Sequence, residues 1–143
     1  MVDYLLDECP YDFITCELGV NMRVRYSPDE FEKRASYVME RLVQTGKPAL
    51  IITTFPNCRT SEYTTEPDNP TSASETAFNQ ILEKLVKDAA CPTVQLVHGF
   101  EILDDLHGLG GDLLHPTPYG HAVMGFRLAE RLQAFLSECG MKV

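Results

Sequence analysis

Asp112-Leu113-Leu114-His115-Pro116 sets a carboxylate three residues before a histidine, just ahead of a Thr117-Pro118 helix start. At that spacing the carboxylate can accept the imidazole Nδ1–H, fix the tautomer and stabilise the imidazolium, while Nε2 faces a nucleophile. That is a general-base pair. The bland alternative makes Asp112 a turn residue and His115 a surface group before a proline. A second segment, Glu17-Leu18-Gly19-Val20-Asn21-Met22, follows an apolar run. Gly19 lets the backbone turn sharply, and Asn21 can aim its side-chain N–H at a developing negative charge, as an oxyanion hole requires. Its bland alternative is an ordinary Gly/Asn turn.

Both segments need a scaffold, and the chain supplies one by alternating short apolar runs with amphipathic stretches. Residues 13–18, 49–54 and 93–97 read as strands, continuous in hydrophobicity as parallel strands covered on both faces should be. Ser27-Pro28-Asp29-Glu30 is a capping box opening a helix with Phe31, Ala35, Val38, Leu42 and Val43 on one stripe, closed by Gly46 and Pro48. A second box, Ser72 with Glu75, opens a helix that buries Phe78, Ile81, Leu82, Leu85 and Val86 and ends before Pro92. The last helix follows Thr117-Pro118 and carries Met124, Leu128, Leu132, Phe135 and Leu136 to Gly140. Residues 2–8 have room for the tail of a further helix. The expected order is α-β-α-β-α-β-loop-α, one α/β domain over residues 1–143 with a parallel sheet. Residues 55–71, rich in Pro, Asn, Thr and Ser, should be a long loop at the rim of any pocket.

Composition removes several function classes. At 143 residues the chain can bury one core without staples. A net charge of −9, with scattered acidic residues, offers no basic patch for nucleic acid and little attraction to an anionic membrane. Cys9, Cys16, Cys58, Cys91 and Cys139 are odd in number and lack zinc-ligand spacing, which points to reduced thiols in a cytoplasmic protein. The acidic N-terminus lacks the form of a signal peptide, and no apolar run approaches a membrane span. His98, His107, His115 and His121, even with Asp112, match no metal-ligand motif, so no metal or other cofactor is expected. His107 and His121 read as polar surface or supporting groups.

With these blocks in this order, the chain resembles the C-terminal two-thirds or so of the GDSL-type, or SGNH, esterases. Gly19-Val20-Asn21 resembles that family's Gly-x-Asn block. Gly111-Asp112-Leu113-Leu114-His115-Pro116, followed by Tyr119-Gly120-His121, resembles its terminal Asp-x-x-His-Pro block before the last helix. The resemblance implies a flavodoxin-like, three-layer α/β/α fold and hydrolysis of a small-molecule ester. It implies an oxyanion donor at Asn21 on the Gly19 turn, a general base at His115 and an orienting carboxylate at Asp112.

The family's Gly-Asp-Ser nucleophile segment and its glycine oxyanion donor have no counterpart here. About eleven residues precede the first strand, whereas a βαβ unit takes about 30. The fold is therefore expected to be N-terminally incomplete, with the serine outside this chain. Ser27 and Ser72 are read as caps, Ser36 lies within a helix, and Ser61 and Ser74 lack the tight strand-to-helix turn that exposes a nucleophile. Cys58 is the remaining substitute, because it follows the second strand and a Cys–His pair is chemically sensible. The absent strand would leave the strand at 13–18 with an open edge, to be covered by an N-terminal segment, by a second copy in a homodimer or by a rearranged N-terminus. The competing class is a binding or assembly module that keeps the pocket without the nucleophile.

Overall fold

The computed structural model describes residues 1–23, 25–59 and 70–142, and of residues 70–73 the backbone only. The elements run α1 (Val2–Asp7), β1 (Ile14–Glu17), α2 (Pro28–Thr45), β2 (Ala49–Ile52), α3 (Pro70–Ala89), β3 (Val94–Val97), α4 (Gly99–Ile102), a 3₁₀ turn (Leu106–Gly108) and α5 (Pro118–Glu138). The three strands form a parallel sheet in the order β1-β2-β3, with Ile14 opposite Ala49 and Ala49 opposite Val94. This is the expected α/β architecture with a parallel sheet between helices.

Alternation along the strands divides the core in two. Ile14 and Cys16 of β1, Ala49 and Ile51 of β2, and Val94 of β3 pack against α2 and α3. There Phe31 and Phe78, both fully buried, stack with ring centroids 4.0 Å apart. On the opposite face Leu50, Ile52 and Val97 meet Ile102, Phe135 and Leu136, with Met124, Leu128 and Leu132 partly buried beside them.

Caps fix the helix ends. Ser27 Oγ accepts the Glu30 N–H at 3.3 Å, and Gly46 closes α2 in the left-handed conformation at φ 64°. Thr117 Oγ1 accepts the Gly120 N–H at 3.0 Å at the start of α5. α1 docks on α2 through Arg41, which binds Asp3 at 2.9 Å and Asp7 at 2.6 Å.

Three expectations need correction. Each strand is shorter than its apolar run: β2 ends at Ile52 because the Thr54 N–H turns to Asn79 Oδ1, 3.1 Å away. α3 begins at Pro70, whose fixed φ suits a first helical position, so Ser72 lies inside the helix and not at its cap. Glu75, read as Ser72's capping partner, is instead wholly buried. The stretch between β3 and α5, read as loop, holds α4 and the 3₁₀ turn, each too short to show a period. Of the long loop read at 55–71, residues 60–69 lie outside the described residues.

β1 is an outer strand. The Ile14 N–H bonds the Pro48 carbonyl at 2.9 Å, so in a parallel ladder Ile14 and Cys16 turn their backbone groups to β2, and Thr15 and Glu17 turn theirs outward. The side chains of Thr15 and Glu17 also line a cavity of about 510 Å³ between the sheet and α5, together with Ile52, Phe55, Met124 and Leu128. Among the described residues, no helix is long and apolar enough to cross a membrane.

Candidate functional site

The Asp112–His115 loop is built from its own backbone. Gly110 N–H donates to the His115 carbonyl and Leu113 N–H to the Gly110 carbonyl, both at 2.8 Å, while Leu109 and Pro116 form an antiparallel bridge. Leu113 sits at φ 52°, a left-handed conformation that costs a residue with a Cβ about 1 kcal/mol or more. Asp112 offsets that strain. Its Oδ1 accepts the N–H groups of Leu114 at 3.0 Å and His115 at 3.1 Å. Its Oδ2 lies 2.6 Å from His115 Nδ1. Asp112 is thus both the turn residue and the imidazole's partner, because it has one oxygen for each task. The two side chains are 52% and 78% exposed, and His115 Nε2 makes no hydrogen bond among the described residues.

The His115 side chain, and after it the N–H groups of His115 and Leu114, hold the Asp112 carboxyl well below the usual carboxylate range. A folded-state pKa below the unfolded value gives stabilisation that is present above the unfolded value, about 3.9, and lost as the pH falls through the folded one. Asp112→Asn should therefore lower Tm at neutral pH. Thermal melts of variant and parent should converge as the pH is taken below about 4.

The second segment is equally local. Gly19 is buried at φ 129°, a region open to glycine, and its carbonyl accepts the Met22 N–H at 2.8 Å. A Cβ there would stand 3.1 Å from Thr54 Oγ1. Asn21 is exposed, and its carboxamide makes no hydrogen bond among the described residues. Gly19 and Thr54 follow the C-terminal ends of β1 and β2, and the Cys58 N–H donates to the Leu113 carbonyl at 2.8 Å. The Asn21 turn and the His115 loop therefore both join the C-terminal side of the parallel sheet, where open α/β sheets bind ligands.

The other candidates fall away from this arrangement. His107 contacts Asp105 at 2.7 Å, and His98 stands 3.5 Å from Glu83, so carboxylate contact alone does not distinguish His115. His121 lines the cavity beneath α5. No group of three or more His, Cys, Asp or Glu among the described residues stands ready to hold a metal ion. Ser27 caps α2, Ser36 lies inside it, and Ser137 Oγ donates to the Gln133 carbonyl within α5. Ser74 lies within α3, Ser72 has only its backbone described, and Ser61 lies outside the described residues. Cys58 is half-buried beside the His115 loop, and no hydrogen bond joins its Sγ to His115. Burial pushes the Cys16 thiol up to about 11, which keeps it protonated.

Sequence reasoning missed the buried polar groups beneath these turns: Arg23, Asn57 and Glu75. The spacing Gly-x-Asn-x-Arg brings Arg23 close to the turn, but its partners come from distant segments that no local pattern reveals.

No family model matches the sequence, and no curated protein matches it. Two solved structures are similar in fold. A salicylyl-acyltransferase from a tetracycline biosynthetic pathway superposes with a TM-score of 0.72 at 13% identity, over 91% of this chain and 39% of that one. An α/β hydrolase enzyme from the metagenome of Lake Arreo, Spain, superposes with a TM-score of 0.61 at 17% identity, over 83% of this chain and 58% of that one. The likeness is one of fold, a parallel α/β sheet flanked by helices, and the chain spans 39% and 58% of those neighbours' own lengths.

Proposed function

We propose that residues 1–143 form a single SGNH-type domain, lacking its nucleophile strand, that supplies the acid–base half of a serine ester hydrolase. The observation that carries this reading is the 2.6 Å contact between Asp112 Oδ2 and His115 Nδ1, in a loop that leaves Nε2 open on the C-terminal side of the sheet. His115 Nε2 takes the proton of a serine hydroxyl as that oxygen attacks an acyl carbonyl. Asn21 donates to the oxyanion. His115 then passes the proton to the leaving alcohol, and the acyl-enzyme is resolved by water or a second alcohol. That a neighbour is an acyltransferase supports either acceptor, since both use the same base in the second step.

The serine comes from outside these residues, on a strand that pairs in parallel with β1. The outward backbone groups of Thr15 and Glu17 and the cavity beside them suit a strand followed by a helix, which a right-handed crossover would lay next to α5. A second copy of the chain is the alternative cover for that edge. The first arrangement places the serine at the C-terminal end of the added strand, beside the Asn21 turn; a second copy would cover the edge without adding a serine that this chain lacks.

Asn21→Ala in the natural gene product that carries this chain should lower kcat by about 100- to 1,000-fold with little change in KM. Turnover of p-nitrophenyl esters of several acyl lengths measures it. An unchanged kcat removes Asn21 from the reaction. The exposure of His115 also fits a binding module without a nucleophile. That reading predicts no ester turnover and no labelling of the gene product by a serine-directed fluorophosphonate. Cysteine-based catalysis predicts turnover that is lost in Cys58→Ala.

A further inference from the structure

Three buried polar residues that no step above uses lie beneath the two turns. Glu75, on α3, has no exposed surface; one carboxylate oxygen stands 2.9 Å from Arg23 Nη1, and the other accepts from Asn57 Nδ2 at 3.3 Å. Arg23 lies two residues past Asn21, and its guanidinium also donates to the Val20 carbonyl, inside the turn that presents Asn21. Asn57, fully buried as well, donates to the Phe55 carbonyl at 3.0 Å and accepts the Arg59 N–H at 2.9 Å. The next residue, Cys58, donates its N–H to Leu113, between Asp112 and His115. Glu75 thus stands at the centre of a path from one turn to the other, made of polar contacts and, between Asn57 and Cys58, one peptide link.

Stability is a poor explanation for the pair. Withdrawing two charges from water costs more than an imperfect contact returns, and well-packed apolar residues often do as well or better. The contact is imperfect here: neither Glu75 Oε1 nor Arg23 Nε has a hydrogen-bond partner among the described residues. Burial raises the Glu75 pKa and lowers that of Arg23, and each partner's charge is the main opposing influence. What the pair does provide is direction, because a buried carboxylate with two polar partners admits few placements of either.

We propose that Glu75 is a positioning residue, holding the turn that bears Asn21 and the loop that bears Asp112 and His115 in fixed relation through Arg23 and through Asn57–Cys58. The inference rests on the reading of those two segments as one site. Its test separates position from stability. In the 143-residue chain, Glu75→Gln should lower Tm and displace the backbone amide signals of residues 19–22 and of Leu113 to His115, read by ¹⁵N-resolved NMR. The Arg23→Met, Glu75→Leu double variant should recover most of the Tm, as apolar replacement of a buried pair does, while the same amide signals stay displaced. In the gene product that double variant should show a kcat about 100-fold lower, with KM nearly unchanged.

Glu75→Gln with unmoved Leu113 to His115 signals would overturn the proposal. So would a double variant whose signals return to their parent positions. Should the double variant not fold, the Glu75→Gln spectra decide alone. Failure of the hydrolase reading shows differently, as turnover that survives His115→Ala, and leaves the amide displacements to be judged separately.

Discussion

His115→Ala should lower kcat/KM for ester cleavage by the gene product by about 10,000-fold or more, the scale of losing the base from a serine-hydrolase triad. The expectation is clean because the loop does not depend on the imidazole. Asp112 Oδ1 bonds the Leu114 and His115 backbone N–H groups, and the Gly110–His115 backbone bond is untouched by a side-chain truncation. Losing the imidazole that holds the Asp112 carboxyl low should lower Tm somewhat at neutral pH, but the loop keeps its backbone frame, so the loss of turnover is chemical. Asp112→Asn should approach the same loss by another route: its amide N–H₂ would face Nδ1 and impose the wrong tautomer, while its carbonyl can still serve the turn. His107→Ala is the internal control. It removes a histidine with the same kind of carboxylate contact, 2.7 Å from Asp105, on a neighbouring exposed turn. Turnover in His107→Ala should match the parent.

Gly120→Ala should produce the largest structural effect. A Cβ at Gly120 would stand 2.0 Å from the Gly108 carbonyl oxygen and 2.8 Å from its carbon, so backbone has to move. That oxygen is already held by the Thr117 N–H at 2.8 Å and the Thr117 hydroxyl at 3.2 Å. The first turn of α5 and the 3₁₀ turn must separate, and the loop between them carries Asp112 and His115. The expected cost is roughly 3 kcal/mol, about 10 °C in Tm, with turnover of the gene product falling well beyond what stability explains. Gly125→Ala, on the same helix with nothing within 4 Å of the new Cβ, should be neutral or slightly stabilising in the same melts. If Gly120→Ala and Gly125→Ala melt alike, the Gly108–Gly120 contact does not seat the loop.

The parts of this molecule that were legible in the sequence are those set by local chemistry. Ser27 and Thr117 announce helix starts, Gly46 a helix end, and the apolar runs at 13–18, 49–54 and 93–97 the shorter strands within them, because each depends on neighbours within a few residues. The Asp112–His115 contact was legible for the same reason, as both partners lie within one turn. Glu75 was misread because its sequence neighbours offer a capping box, while its partners, Arg23 and Asn57, stand 52 and 18 positions away and are brought to it by the packing of α3. α4 and the 3₁₀ turn are too short to carry a hydrophobic period. The second Asp–His contact, at 105 and 107, shows why spacing alone cannot assign a base.

The most direct test is fluorophosphonate labelling of the natural gene product that carries this chain, with and without His115→Ala. Labelling requires a serine activated by a base. The expected result is a single labelled serine outside residues 1–143, with labelling lost in His115→Ala and unchanged in His107→Ala. Labelling that persists undiminished in His115→Ala would contradict the assignment of His115 as the base.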